Sequence, residues 1–127
     1  TRVLPVIAEA FGDGALDHLV DVAPRWRDDE DFLELEAARL FAYASRRGAG
    51  GPGSATDLDA DALACAHPAL RSRVLRRWLF EATGRTSASR EIAGIQRWLQ
   101  SAGGRRGTLD LAGVRLTGKG GRLSLDR

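Results

Sequence analysis

The period of the apolar residues changes once along this chain, and that change decides its fold class. Ahead of it they recur at helical spacing; from Thr108 onward they recur at every second position. Leu109 and Leu111 alternate with Thr108 and Asp110, Val114 and Leu116 with Arg115 and Thr117, and Leu123 and Leu125 with Arg122 and Ser124. Ala112-Gly113 and the stretch from Gly118 to Gly121 supply turns between these runs. The pattern predicts a three-stranded antiparallel β-meander whose aliphatic face packs on helices while Arg115 and Arg122 point the other way.

The helical part divides at glycines and prolines. Val3, Leu4, Ile7, Ala8 and Phe11 form one stripe of a short helix ended by Gly12-Asp13-Gly14. Leu16, Leu19, Val20 and Ala23 form a second stripe, and Pro24 after it reads as a bend or a restart. Asp28, Asp29, Glu30 and Asp31 then precede a third run with Phe32, Leu33, Ala37, Leu40, Phe41 and Ala44, where acids complement the positive end of the helix dipole. A glycine-rich connector spans 48–57 and separates a helical linker region, 1–47, from a second region, 58–127. There, a short element around Asp59 to Ala66 leads to a helix opened by Pro68 and closed after Thr83 by Gly84. Thr86 or Ser87 can cap a following helix carrying Ile92, Ile95, Leu99 and Ala102, stopped by Gly103-Gly104. The expected fold is therefore α+β, a mostly helical lead-in followed by a small domain of helices packed on the meander.

Charge is distributed as unevenly as the periods. The formal charge is only +2, yet residues 1–61 carry 6 Arg against 13 acids, a net of −7, and residues 62–127 carry 12 Arg and 1 Lys against 4 acids, a net of +9. Such a split points to a polyanion-binding surface on the second half, with solvated arginines as the plain alternative. At 127 residues the chain holds one domain or a small domain with a helical lead-in. No apolar run approaches the roughly 20 residues of a membrane span. One cysteine, Cys65, and no leader-like start point to a cytoplasmic protein.

On the helix from Pro68 to Thr83, at about 100° per residue, Leu70, Val74, Leu75, Trp78, Leu79 and Ala82 share one half-circle. Arg73, Arg76 and Arg77 fall opposite, with Phe80 among them. Guanidinium groups around an exposed aromatic suit phosphate contacts with a base stacked nearby. Arg71 projects toward the apolar arc and must snorkel, pair with an acid or reach a ligand. Arg105, Arg106, Arg115, Lys119 and Arg122 add charge to the same half.

Other motifs fail on context. Gly48 to Gly53 matches G-x-G-x-x-G without the preceding strand a dinucleotide loop needs. Asp57, Asp59 and Asp61 start like an EF-hand, but Ala62 and Pro68 occupy its glycine and closing glutamate positions. Cys65, His67 and His18 make no zinc set, so no metal site is expected and Cys65 reads as a buried apolar residue. No nucleophile dyad or catalytic residue emerges.

Taken in order, these pieces resemble the region after the catalytic domain of bacterial tRNA(Ile)-lysidine synthetases. Thr1-Arg2-Val3-Leu4-Pro5-Val6-Ile7 looks like the family's R-x-x-P-L-L helix start, and the helix with Glu34 to Arg39 follows. His67-Pro68-Ala69-Leu70-Arg71-Ser72-Arg73-Val74-Leu75-Arg76-Arg77-Trp78-Leu79 is similar to L-P-x-x-x-R-R-x-x-x-R-x-W-L. Leu111 to Leu116 and Gly121 to Leu125 resemble the closing strands, so the likeness covers nearly the whole chain.

The resemblance implies a parent ligase that adenylates the wobble cytidine of an isoleucine tRNA with ATP and Mg and couples lysine to it. Its SGGxDS loop does not occur here, so the expectation is a carboxy-terminal fragment, inactive in ligation alone, with no cofactor of its own. Residues 58–127 become the tRNA-binding domain. By the same resemblance Arg71, Arg73, Arg76 and Arg77 are the first tRNA contacts, Arg2, at the basic start near the catalytic domain, is another, and Arg115 and Arg122 add strand contacts. Arg71 and Arg73 could instead bridge acids such as Asp59 or Asp61. Expected partners are tRNA(Ile) and the parent's catalytic domain, with a homodimer left open and no membrane. The acidic helices are expected to face solvent or that catalytic domain. Two competitors stand: a small DNA-binding module reading duplex through Arg90 and Arg97, and a structural protein-interaction domain.

Overall fold

The computed structural model describes residues 13–48, 57–101 and 106–126, with side chains of the first segment described over 24–46. The expected helix through Phe11, positions 49–56 of the glycine-rich connector expected at 48–57, Arg2, and Gly103-Gly104 lie outside the described residues, while Gly48 is the last residue of a helix. Two compact units are present, Thr1–Leu33 and Glu34–Arg127. In the first, the side chains from Pro24 to Phe32 are all exposed, Trp26 and Phe32 among them.

Helix α1 spans Asp13–Gly48 and contains Pro24. Asp13 and Gly14, expected to end a helix, are its first residues, and Pro24 does not restart it. A proline inside a helix removes one amide donor and crowds one carbonyl, a local cost of about 3 kcal/mol, yet the helix runs on past it. Within the second unit α1 buries Ala37 and Ala44 in the core and packs Leu40 and Phe41 against it.

Strand β1 (Leu58–Asp59) leads into α2 (Ala60–Cys65), whose first turn is capped by the Asp59 carboxylate accepting from the amides of Asp61 and Ala62 at 2.9 and 3.1 Å. The aspartates that mimic a calcium loop thus include a helix cap. Cys65, expected to be buried, is exposed at the end of this six-residue helix, which turns Leu63 inward instead. Helix α3 spans Pro68–Thr83, begins with Pro68 in its first turn and ends at Gly84 with φ 71°, both as expected. Helix α4 spans Ser89–Gln100; its N-cap is Ala88 rather than Thr86 or Ser87. The Ala88 amide donates to the Glu91 carboxylate at 3.3 Å, so Glu91 satisfies the N-cap amide while no side chain caps the first helical amides.

The meander is present as β2 (Arg106–Leu111), β3 (Val114–Lys119) and β4 (Arg122–Asp126), but the sheet has four strands, in the order β1-β4-β3-β2. Leu58 pairs antiparallel with Leu123 and Asp59 with Arg122. Two residues are too few to display a period, which is why β1 was not expected. The second hairpin turn is also tighter than Gly118 to Gly121: Gly118 and Lys119 are paired in β3, leaving Gly120 and Gly121 at φ 60° and 77° between Lys119 and Arg122. Two consecutive positive φ values define the type I′ turn, whose twist matches that of the strands.

Val114, Leu116 and Leu123 face inward with Val74, Leu75, Trp78 and Leu79 of α3 and Ile92, Ile95 and Leu99 of α4 in one buried core. The outer face is polar, and the register sorts it into rows because directly opposed residues share a face. Arg106, Lys119 and Arg122 form one row, Thr108, Thr117 and Ser124 the next, and Asp110, Arg115 and Asp126 the last.

Candidate nucleic-acid interface

Because Val74, Leu75, Trp78 and Leu79 are drawn into the core, the opposite side of α3 turns to solvent. Arg73, Arg76, Arg77 and Phe80 line one open groove there, of about 450 Å³, together with Glu34, Thr86 and Ser87. Phe80 is 53% exposed, so no other described element covers it. The three arginines have different local partners. Arg73 donates from Nη1 to the Glu34 carboxylate. Arg76 donates from Nη1 to the Ser87 carbonyl at 3.0 Å and from Nη2 to Ser89 Oγ at 3.1 Å, tying α3 to the start of α4. Arg77 donates to Glu81 at 3.2 Å and lies 4.6 Å from the centre of the Phe41 ring. A guanidinium over an aromatic face is held by the ring quadrupole while its remaining N–H groups stay available.

Arg71 is placed elsewhere. It is buried, donating from Nε to Gln96 Oε1 at 3.1 Å and from Nη1 to the Ala64 carbonyl at 3.2 Å. Gln100 donates to the same carbonyl at 3.2 Å. Ala64 lies in the last turn of α2, where carbonyls lack helical partners, so Arg71 joins α2, α3 and α4 through neutral oxygens and not through Asp59 or Asp61. Arg115 is exposed, and its Nε lies 2.6 Å from Asp110 Oδ1. That hydrogen bond and the Asp110 charge, with a smaller part from Asp126, hold its guanidinium above the ordinary arginine range. Its row carries one cation between two acids. Arg122 lies 3.8 Å from Asp57 Oδ2.

Reasoning from residues alone missed Glu34, Phe41, Thr86 and Ser87 as neighbours of the arginine face. Glu34 stands 39 positions from Arg73, and no local pattern signals such a meeting. Its carboxylate faces the groove instead of only solvent. Among the described residues no group of three or more His, Cys, Asp or Glu is placed to hold a metal, and no helix is long and apolar enough to cross a membrane.

Fold and groove together define a small α+β domain with an open groove lined by three arginines and an exposed aromatic. Residues 58–123 match the family described as the TilS substrate binding domain, and the chain belongs to that family. It is 30% identical over 107 residues to the tRNA(Ile)-lysidine synthase of Mycobacterium bovis, covering 84% of this chain and 32% of that protein. The Nocardia farcinica tRNA(Ile)-lysidine synthase is 30% identical over 132 residues, covering 100% of this chain and 39% of its own length. The Mycolicibacterium paratuberculosis one is 32% identical over 94 residues, covering 74% and 27%. The chain thus spans about a third of the length of the curated relatives it matches.

Proposed function

We propose that this chain is the tRNA-holding part of a tRNA(Ile)-lysidine synthetase and that the α3 groove is a contact surface for the RNA. The observation that carries the reading is the convergence of Arg73, Arg76, Arg77 and exposed Phe80 on one open groove in a chain of this family. Phosphate oxygens accept from Arg73 and Arg77, an unstacked base lies on Phe80, and Arg76 holds the groove wall while presenting its spare donors. Arg122 adds a strand contact. Arg71 acts through position, by fixing α3 against α2 and α4. Arg115, pinned by Asp110, is the weakest of the arginine contacts. Such a role belongs in the cytoplasm, and exposed Trp26 and Phe32 of the first unit give apolar surface for the rest of the synthetase.

ATP and Mg serve the ligation reaction of the parent enzyme. The described residues offer no acidic cluster for the metal, so no step of this domain's action is derived through either.

The experiment compares retention of a tRNA(Ile) transcript and of duplex DNA by this chain at low and moderate salt. RNA retained over duplex DNA at moderate salt supports the reading. Equal retention, or sequence-dependent duplex binding lost on Arg90→Ala and Arg97→Ala, would replace it with the DNA-binding alternative.

A further inference from the structure

The outer face of the sheet carries a cost that folding alone does not explain. The register sets Arg106 opposite Lys119 and Lys119 opposite Arg122, three cations side by side across β2, β3 and β4. Like charges directly opposed destabilise a sheet. Relief reaches only one end of this row: Arg122 lies 3.8 Å from Asp57, while the Asp59 carboxylate opposite it is engaged in capping α2. Arg106 and Lys119 are exposed and have no acidic partner among the described residues. Beside them runs the row of Thr108, Thr117 and Ser124, three hydroxyls. Rows on one face are about 6.7 Å apart and strands about 4.8 Å apart, so cations and hydroxyls form one continuous patch open to solvent.

We infer that this patch, with Arg106 and Lys119 as its charged anchors, is a second binding surface for the sugar-phosphate backbone of RNA, separate from the α3 groove. The inference rests on the reading of the chain as a tRNA-binding domain. Charge complementarity selects the occupant: the two cations, which have no acidic partner among the described residues, take phosphates, and the hydroxyls bond phosphate oxygens or ribose 2′-hydroxyls. The remaining row, with Asp110 and Asp126 around Arg115, is net negative and attracts phosphates least, so the backbone is held mainly at the basic end. Acids also gather at the β1 edge, where Asp57 and Asp59 lie, so the strand approaches from the β2 side.

The test measures binding of a tRNA(Ile) transcript by the full chain across a salt series. The double variant Arg106→Gln/Lys119→Gln should lower the slope of log affinity against log salt by about two, one per lost phosphate contact. Its affinity should then fall about tenfold less than that of the parent chain between 0.05 and 0.2 M salt. Thr117→Val should weaken binding by about two- to tenfold at unchanged slope, since it removes a hydroxyl and no charge. Arg39→Gln removes one exposed charge that is paired with Glu36 and is not among the residues lining either surface, and it should leave the slope unchanged. Thermal stability of the double variant should be equal or higher, because the like-charge row is relieved. A slope equal to that of the parent chain, or one that Arg39→Gln lowers as much per charge, overturns the inference. If Arg73→Gln/Arg77→Gln lowers the slope and the sheet variant does not, only the sheet surface falls. No binding of the transcript by the parent chain ends both readings, and preferential capture of an acidic protein surface over RNA by the sheet patch ends this one.

Discussion

Arg71 and Glu34 show how much a single side chain's role depends on where its neighbours come from. Arg71 sits in an arginine-rich helix, yet its guanidinium is buried against Gln96 and the Ala64 carbonyl. Hydrogen bonds from a charged donor contribute about 1.5–3 kcal/mol, so Arg71→Ala should destabilise the fold by at least that amount. Chemical denaturation would register it as a lower midpoint, and Arg71→Lys should not restore it, because an ammonium lacks the fork that reaches both oxygens. A midpoint unchanged by the alanine variant would return Arg71 to the ligand-contact class. Glu34 is the opposite case. Its pairing with Arg73 leaves the carboxylate mostly exposed and the guanidinium half-buried, and contributes about 0–1 kcal/mol to stability. In the groove, though, its carboxylate competes with any phosphate for the same donors. Glu34→Gln should therefore strengthen tRNA binding at low salt with little change in denaturation midpoint; weaker binding would mean that Glu34 orients Arg73 instead of competing for it.

At the level of elements, sequence periodicity carried far where an element is long and failed where it is short. The limits of α3 were legible because proline and glycine punctuate it at Pro68 and Gly84, and its two faces were legible from helical geometry. The three long strands were legible from alternation. β1 was not, being two residues, and neither was the continuity of α1 through Pro24, which depends on flanking turns and not on the proline itself. Cys65 misled for a related reason: residue type predicts burial only on average, and a helix of six residues has little apolar face to offer. In the candidate site, Arg73, Arg76, Arg77 and Phe80 share one helix face and could be grouped in advance, whereas Glu34 and Phe41 come from another helix. The β3–β4 turn gives a prediction at this scale. A Cβ on Gly121 would meet Asp61 Oδ2 at 3.0 Å at a φ of 77°, whereas one on Gly113, φ 85°, meets nothing within 4 Å. Both alanine variants incur left-handed strain of roughly 1–2 kcal/mol. Gly121→Ala should lower the thermal midpoint further than Gly113→Ala; equal losses would mean that Asp61 moves aside freely.

Across the whole molecule, the near-neutral total charge conceals a basic second half on which two separate surfaces present cations, the α3 groove and the basic end of the sheet. Both lie in the unit Glu34–Arg127, which also contains the segment that matches the TilS substrate binding domain. An interface built this way gains affinity mainly by releasing counterions, so its signature is salt dependence. The most direct measurement of the central claim is the affinity of this chain for a tRNA(Ile) transcript across a salt series, compared with that of Arg73→Gln/Arg77→Gln. The groove account predicts that the double variant binds more weakly and that its log–log salt slope is shallower by about two. Identical affinities and slopes would make the α3 arginines a solvated face and contradict it.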